Sequence, residues 1–168
     1  METINNRRSI RAYEDKPVEQ EKIEKLLRAG MQAPSARNQQ AWEFLVIQNK
    51  ETLHILSLTS TYSRLVEKAP LVIITLGNEE RFTSPENWQQ GMGATTQNIL
   101  LEAVEQGLGA VWIGVAPDEE RMDYIRNCFG LPQTLRPFNL IAIGYPIKGT
   151  GNKFVDRYDE KKVHYEKY

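Results

Sequence analysis

Pro70-Leu71-Val72-Ile73-Ile74-Thr75-Leu76 is the stretch that decides the fold class of this chain. It is β-branched and unbroken, and it is bounded by proline on one side and Gly77 on the other, which is the signature of a strand. A strand apolar at successive positions has no solvent face. It therefore predicts an interior strand with helices packed on either side. Working outward, Glu43–Gln48, Ala110–Gly114 and Leu140–Gly144 read as three further short strands. Ile23, Leu26, Leu27 and Met31 recur at helical spacing and predict an amphipathic helix over residues 18–31, stopped before Pro34. Asn49 is placed to cap a helix carrying Leu53 and Leu56. Ser84-Pro85 reads as N-cap and first residue of a long helix running to Gln106, with Gly107 as its stop. Met92, Thr96, Ile99, Leu100, Ala103 and Val104 form its apolar stripe, and Gly91, Gly93 and Ala94 suit close packing on the sheet or on a second subunit. Asp118 caps a last helix whose apolar face is Met122, Ile125 and Phe129.

The 168 residues read as a single domain, 1–168, with room for one real core. Twenty-one basic and 22 acidic side chains leave a net charge of -1, which offers no long-range attraction for nucleic acid or an anionic membrane. Cys128 is the only cysteine, so an intrachain disulfide and a thiolate metal cluster are both excluded. It reads as a small buried hydrophobe beside Phe129. His54 and His164 lie far apart, and no metal site is expected. The opening Met1-Glu2-Thr3-Ile4-Asn5-Asn6 is no signal peptide and no apolar stretch spans a bilayer, so the expected location is cytoplasmic. The tail, 145–168, has little core of its own but carries Tyr145, Tyr158, Tyr165 and Tyr168. Such a tail is either frayed or laid on something else, and its aromatics favour a partner subunit.

Two constellations carry chemistry. Arg7-Arg8-Ser9-Ile10-Arg11 packs three cations and a hydroxyl into one turn of chain. Guanidinium groups grip phosphate with paired, charge-assisted hydrogen bonds, although an isolated basic pentamer is ordinarily solvated surface. Ala33-Pro34-Ser35-Ala36-Arg37-Asn38-Gln39-Gln40-Ala41-Trp42 is a turn rich in amides. Asn38 and Gln40 each offer a donor and an acceptor, which suits the polar edge of a flat heterocycle or, alone, the loop's own backbone. Gly107-x-Gly109 follows a helix where a dinucleotide fingerprint follows a strand, so it is no Rossmann site.

In this order, the two segments resemble the FMN-dependent nitroreductase family, and specifically its short members. The resemblance runs over essentially the whole chain. It includes Thr96-Gln97-Asn98-Ile99-Leu100-Leu101, Gly107-Leu108-Gly109-Ala110-Val111-Trp112-Ile113-Gly114 and Ile143-Gly144-Tyr145-Pro146. It ends with Arg157-Tyr158-Asp159-Glu160 and Val163-His164-Tyr165. The chain departs from the family at Ala41, where proline is common, and at Gly91, where many short members are acidic.

The resemblance implies an α+β fold with a central mixed sheet and helices on both faces. It further implies an intertwined homodimer whose tail, 145–168, reaches the partner, with two FMN molecules at the interface. By that analogy Arg7 and Ser9 hold the phosphate with Arg157, and Arg8 is nearby through its backbone. Arg11 would sit at the N1/C2-carbonyl edge as an electrostatic stabiliser of the reduced ring. Pro34, Ser35, Asn38 and Gln40 would reach the flavin of the other subunit, and Ile113-Gly114 would face N5 through main-chain groups. The implied activity is hydride transfer from NADH or NADPH through FMN to a nitroaromatic, quinone or activated alkene, with ping-pong kinetics and no side chain acting as acid or base. A flavin carrier, a redox sensor, or a dehydrogenase or dehalogenase of the same fold are the alternatives. Thr59–Lys68 and Arg81–Trp88 are expected to form the substrate mouth. Trp88 is the tryptophan expected to line the pocket, whereas Trp42 and Trp112 are expected in the core or an interface, and His164 is expected to be structural.

Overall fold

The computed structural model describes residues 2–168. Its centre is a four-stranded sheet of β1 (Trp42–Ile47), β2 (Leu71–Asn78), β3 (Gly109–Gly114) and β4 (Leu135–Gly144), in the order β1-β2-β4-β3. All three pairings are antiparallel. The sheet expected to be mixed is therefore antiparallel within the chain, and its one parallel contact is the isolated bridge from Ser9 to Ala110 on β3. The cause is connectivity. The segment that runs parallel to β3 is too short to form a ladder, and it turns away after Ile10 donates its N–H to the Ala110 carbonyl at 3.0 Å.

Side-chain alternation sorts the sheet into two cores. Leu71 and Ile73 pack with Ile141 and Ile143 beneath α2 (Gln20–Met31) and α4 (Trp88–Glu105). Val72, Ile74 and Leu76 face the other way, against α3 (Lys50–Ser57), the 3₁₀ turns of Thr61–Lys68 and α5 (Glu119–Phe129). Every residue of β2 from Leu71 to Gly77 is buried, as an interior strand requires. A short helix, α1 (Glu2–Asn6), precedes these elements and has no apolar periodicity that would have announced it.

Two expected caps are formed. Asn49 accepts from the Thr52 N–H at 3.0 Å, and Asp118 accepts from the Arg121 N–H at 3.2 Å. The cap expected at Ser84 is not formed. Its hydroxyl donates to Glu86 Oε1 at 2.7 Å, the next residues make a 3₁₀ turn over Pro85–Asn87, and the α-helix begins only at Trp88. The last strand begins earlier than Leu140. A register shift between Thr75 and Leu76 lets Pro137 pair opposite Leu76, at an irregularity where proline's missing N–H is tolerated. The skipped Phe138 enters an aromatic cluster with Trp42 and Trp88.

A buried polar chain ties the sheet to α4. Thr75 donates to Asn139 Oδ1 at 2.9 Å, Asn139 Nδ2 donates to Thr96 Oγ1 at 2.8 Å, and Thr96 donates to the Met92 carbonyl at 2.7 Å. Each polar atom finds a partner, so their burial carries no desolvation penalty left unmet. Among the described residues no helix is long and apolar enough to cross a membrane, and no group of histidine, cysteine and acidic residues could hold a metal ion.

Candidate active site

Edge strand β3 organises the site. At its start, the Ser9–Ala110 bridge lays the arginine cluster alongside it. Gly109 makes this approach possible: a Cβ there would stand 2.7 Å from Ile10. The tail closes the other side. Asn152 Nδ2 donates to the Leu108 carbonyl at 2.9 Å, and Asn152 Oδ1 accepts the Arg8 N–H at 3.1 Å. The result is a cleft of about 470 Å³ lined by Arg7, Arg8, Ser9, Arg11, Lys153 and Arg157, with a loop of Gly149, Thr150 and Gly151 at its rim.

The cleft is electrostatically unfinished. Burial, then the neighbouring Arg157 and Arg7, push the Arg8 guanidinium below its ordinary pKa. Its Nε is buried without a hydrogen-bond partner among the described residues, while its terminal nitrogens donate to the Arg7 and Val155 carbonyls. Crowded cations and an orphaned donor fit a bound phosphate dianion. The backbone of Arg8 lies at this cleft, with its N–H donating to Asn152.

A second cleft of about 380 Å³ begins where the first ends, with Arg11 lining both. Its wall is the outer part of β3, Val111 to Gly114, and its mouth carries Tyr62, Leu65 and Arg121. An added Cβ at Gly114 would meet nothing within 4 Å, so the wall is open there. Arg7, Arg8, Ser9, Arg11, Ile113, Gly114 and Arg157 are thus brought together along one strand edge. A larger cavity, about 510 Å³ beside Tyr13, Leu53 and Pro70, shares no lining residue with either cleft.

Pro34, Ser35, Asn38 and Gln40 are not brought to these clefts within the chain. They form a stiff loop between α2 and β1. Arg37, Asn38 and Gln40 all have positive φ, at 51°, 52° and 43°. Backbone strain of this kind persists only where the surroundings enforce it, and it concentrates at functional sites. The enforcement is visible: Ser35 Oγ accepts the Gln40 N–H at 3.0 Å, and Gln40 Nε2 donates to Asn38 Oδ1 at 2.8 Å. Gln39 Oε1 accepts the N–H groups of both Thr83 and Ser84, at 3.1 and 3.0 Å. The loop is thereby fastened to the Arg81–Trp88 segment.

The expectation for Trp88 is overturned, whereas Trp112 is outside the core on an open edge. Trp88 is buried, stacked on Phe82 at 5.8 Å and edge-on to Phe138 at 5.7 Å, because Gly77 leaves space for its ring. Trp112 is 38 % exposed and lines the second cleft. Trp42 is buried as expected. Cys128 is exposed, since it lies about 100° round the helix from Phe129. His164 stacks on Tyr168 in the exposed tail, with ring centroids 4.3 Å apart. Sequence reasoning missed Asn152 and Lys153 in the first cleft and Arg121 in the second. A small-residue loop followed by lysine could have signalled the former. For Arg121 the available signal was its place in the first turn of a helix that follows β3 directly.

The sequence pattern of the nitroreductase family matches residues 4–69 and 59–145. The chain belongs to the nitroreductase family. Its relatives include a protein of Methanothermobacter thermautotrophicus provisionally named NADH dehydrogenase/NAD(P)H nitroreductase, 40% identical over 100% of this chain and 87% of the relative. Among solved structures, a provisionally named NADH oxidase from Clostridium acetobutylicum is 52% identical, covers 99% of each chain and superposes with a TM-score of 0.96. A nitroreductase from Desulfovibrio desulfuricans, solved in complex with FMN and also provisionally named, is 31% identical. It covers 99% of this nitroreductase-family chain and 96% of its own, with a TM-score of 0.84.

Proposed function

We propose that this nitroreductase-family protein is an FMN-dependent oxidoreductase that uses NADH or NADPH to reduce electron-poor acceptors. The observation that carries the reading is the pair of adjoining clefts on β3, one cationic and one open and aromatic, sharing Arg11. Bound FMN would supply hydride chemistry, accepting two electrons from the nicotinamide and delivering them to a nitroaromatic, quinone or activated alkene.

The chain's own residues do the rest. Arg7, Ser9 and Arg157 bind the phosphate, and the Arg8 side chain adds charge to the same cleft. Arg11, between the clefts, stabilises negative charge at the N1/C2-carbonyl edge of the reduced ring. The main chain of Ile113 and Gly114 faces the reacting side, where the absent side chain of Gly114 permits close approach. Pro34, Ser35, Asn38 and Gln40 sit on a loop too far round the fold to line their own chain's clefts, which supports their serving the site of a second copy in a homodimer. Donor and acceptor would occupy the open cleft in turn, so parallel, ping-pong initial-rate patterns are expected.

The test is the visible spectrum of the FMN-supplied protein under anaerobic conditions. NADH or NADPH should bleach a bound flavin band, and a quinone or nitroaromatic should restore it. A bound flavin that neither nucleotide bleaches would overturn the reading in favour of a carrier or sensor.

A further inference from the structure

We infer that the second cleft selects planar acceptors carrying an anionic substituent, with Arg121 as the specificity-determining cation. The inference rests on the oxidoreductase reading above and names the substrate class of that site. Among the described residues, the charged side chains lining the cleft are Arg11 and Arg121, and the lining includes no carboxylate. Arg11 also lines the phosphate cleft and is engaged with the cofactor in the proposed arrangement. Arg121 is the cation left for a second ligand.

Its position is fixed. Arg121 Nε lies 3.0 Å from Asp118 Oδ2, and Nη1 donates to the Gly114 carbonyl at 3.4 Å. Asp118 is itself held as the cap of α5 through the Arg121 N–H. With Nε on Asp118 and Nη1 on the Gly114 carbonyl, the guanidinium pinned at the end of β3 keeps Nη2 to donate to whatever enters, and a carboxylate or sulfonate is the acceptor that such a charge-assisted donor favours. The aromatic faces are at the same mouth: Tyr62 is 74 % exposed and Trp112 38 % exposed. Flat π-surfaces beside a single cation suit a flat ring bearing a negative group.

The experiment compares 4-nitrobenzoate with its uncharged near-isostere 4-nitrobenzamide as acceptors for the FMN-loaded enzyme. In Arg121→Gln the ratio of kcat/KM values, benzoate over benzamide, should fall about tenfold, and Arg121→Lys should recover most of it. Turnover of the benzamide should fall less than that of the benzoate, since only the benzoate carries the charge that the guanidinium pairs with. Added salt should erode the ratio in the parent and not in Arg121→Gln. Titration of nitrobenzoate against the oxidised flavin spectrum gives the same comparison without turnover, with weaker binding expected in Arg121→Gln. A ratio unmoved by Arg121→Gln, with benzamide turnover intact, would overturn the inference. So would an effect confined to the NADH KM, which would assign the guanidinium to the donor. A parent enzyme whose bound flavin no nucleotide bleaches would instead remove the oxidoreductase reading, and this inference with it.

Discussion

Arg11 and Arg157 both belong to the cationic cleft, but they are placed to do different work. Arg157 touches only the first cleft, whereas Arg11 also lines the second, beside Ile113 and Gly114. Arg157→Ala should therefore act mainly on affinity. Loss of a charge-assisted phosphate contact should weaken FMN binding about tenfold or more, measured by flavin fluorescence titration. Arg11→Ala should act mainly on rate, slowing anaerobic flavin reduction by NADH at least about tenfold in stopped-flow while costing less affinity. Equal effects of the two substitutions on both quantities would sink the division of labour. At this scale the sequence was informative where residues are neighbours. Arg7, Arg8, Ser9 and Arg11 are close in the chain and close in space. Arg121 was not legible, because Gly114 and Tyr62, which line the cleft with it, are brought there by the turn after β3 and by a segment nearly sixty residues away.

Among the elements, β3 bears both clefts, and its two end glycines should respond differently to a methyl group. A Cβ at Gly109 would be 2.7 Å from Ile10, a residue buried to 4 % exposure. Gly109→Ala should cost about 1–3 kcal/mol by overpacking and loosen the arginine segment, so both the melting temperature and FMN affinity should fall. A Cβ at Gly114 would meet nothing. Gly114→Ala should leave the unfolding free energy of the flavin-free protein within about 0.5 kcal/mol of the parent, as surface changes do, while reducing turnover. Thermal unfolding without flavin, followed by steady-state assay with flavin, separates the two. A destabilised Gly114→Ala protein would show that the edge is packed by something within the chain. The strands themselves were legible because alternation is local: Leu71 and Ile73 face one core, Val72 and Ile74 the other. The start of β4 was not, since Leu135, Arg136 and Pro137 carry no strand pattern and pair only because β2 offers them an unfilled edge.

For the whole molecule, the proposed homodimer gives the exposed tail a place to pack. Phe154, Tyr158, Tyr165 and Tyr168 are exposed at 61, 73, 82 and 106 %, an apolar surface that a monomer gains nothing by presenting. The proposed homodimer predicts a solution mass of twice 19.3 kDa by light scattering. Truncation after Tyr145 removes those aromatics together with Asn152 and Arg157, and it should yield a monomer that binds FMN at least about a hundredfold more weakly, given the lost ion contacts. A monomeric full-length protein with tight flavin binding would overturn the shared site. Saturating FMN should raise the melting temperature of the full-length protein, as any ligand that binds only the native state does, and thermal scans with and without FMN check it.

The sequence by itself determined the four strand cores, the longer helices and the identity of the cationic cluster, because helix and strand periods and clustered cations are written over a few adjacent positions. It also carried enough motif to place the chain in its family. Only the tertiary structure decided what meets what. Ser9 bridging Ala110 sets the cluster beside β3, Asn152 clamps the tail to Arg8, Gln39 pins a strained loop to Thr83 and Ser84, and Trp88 enters the core while Trp112 lines a cleft. Each of these depends on strand register and on space left by distant glycines. Such long-range packing has no period in the chain from which it could be read.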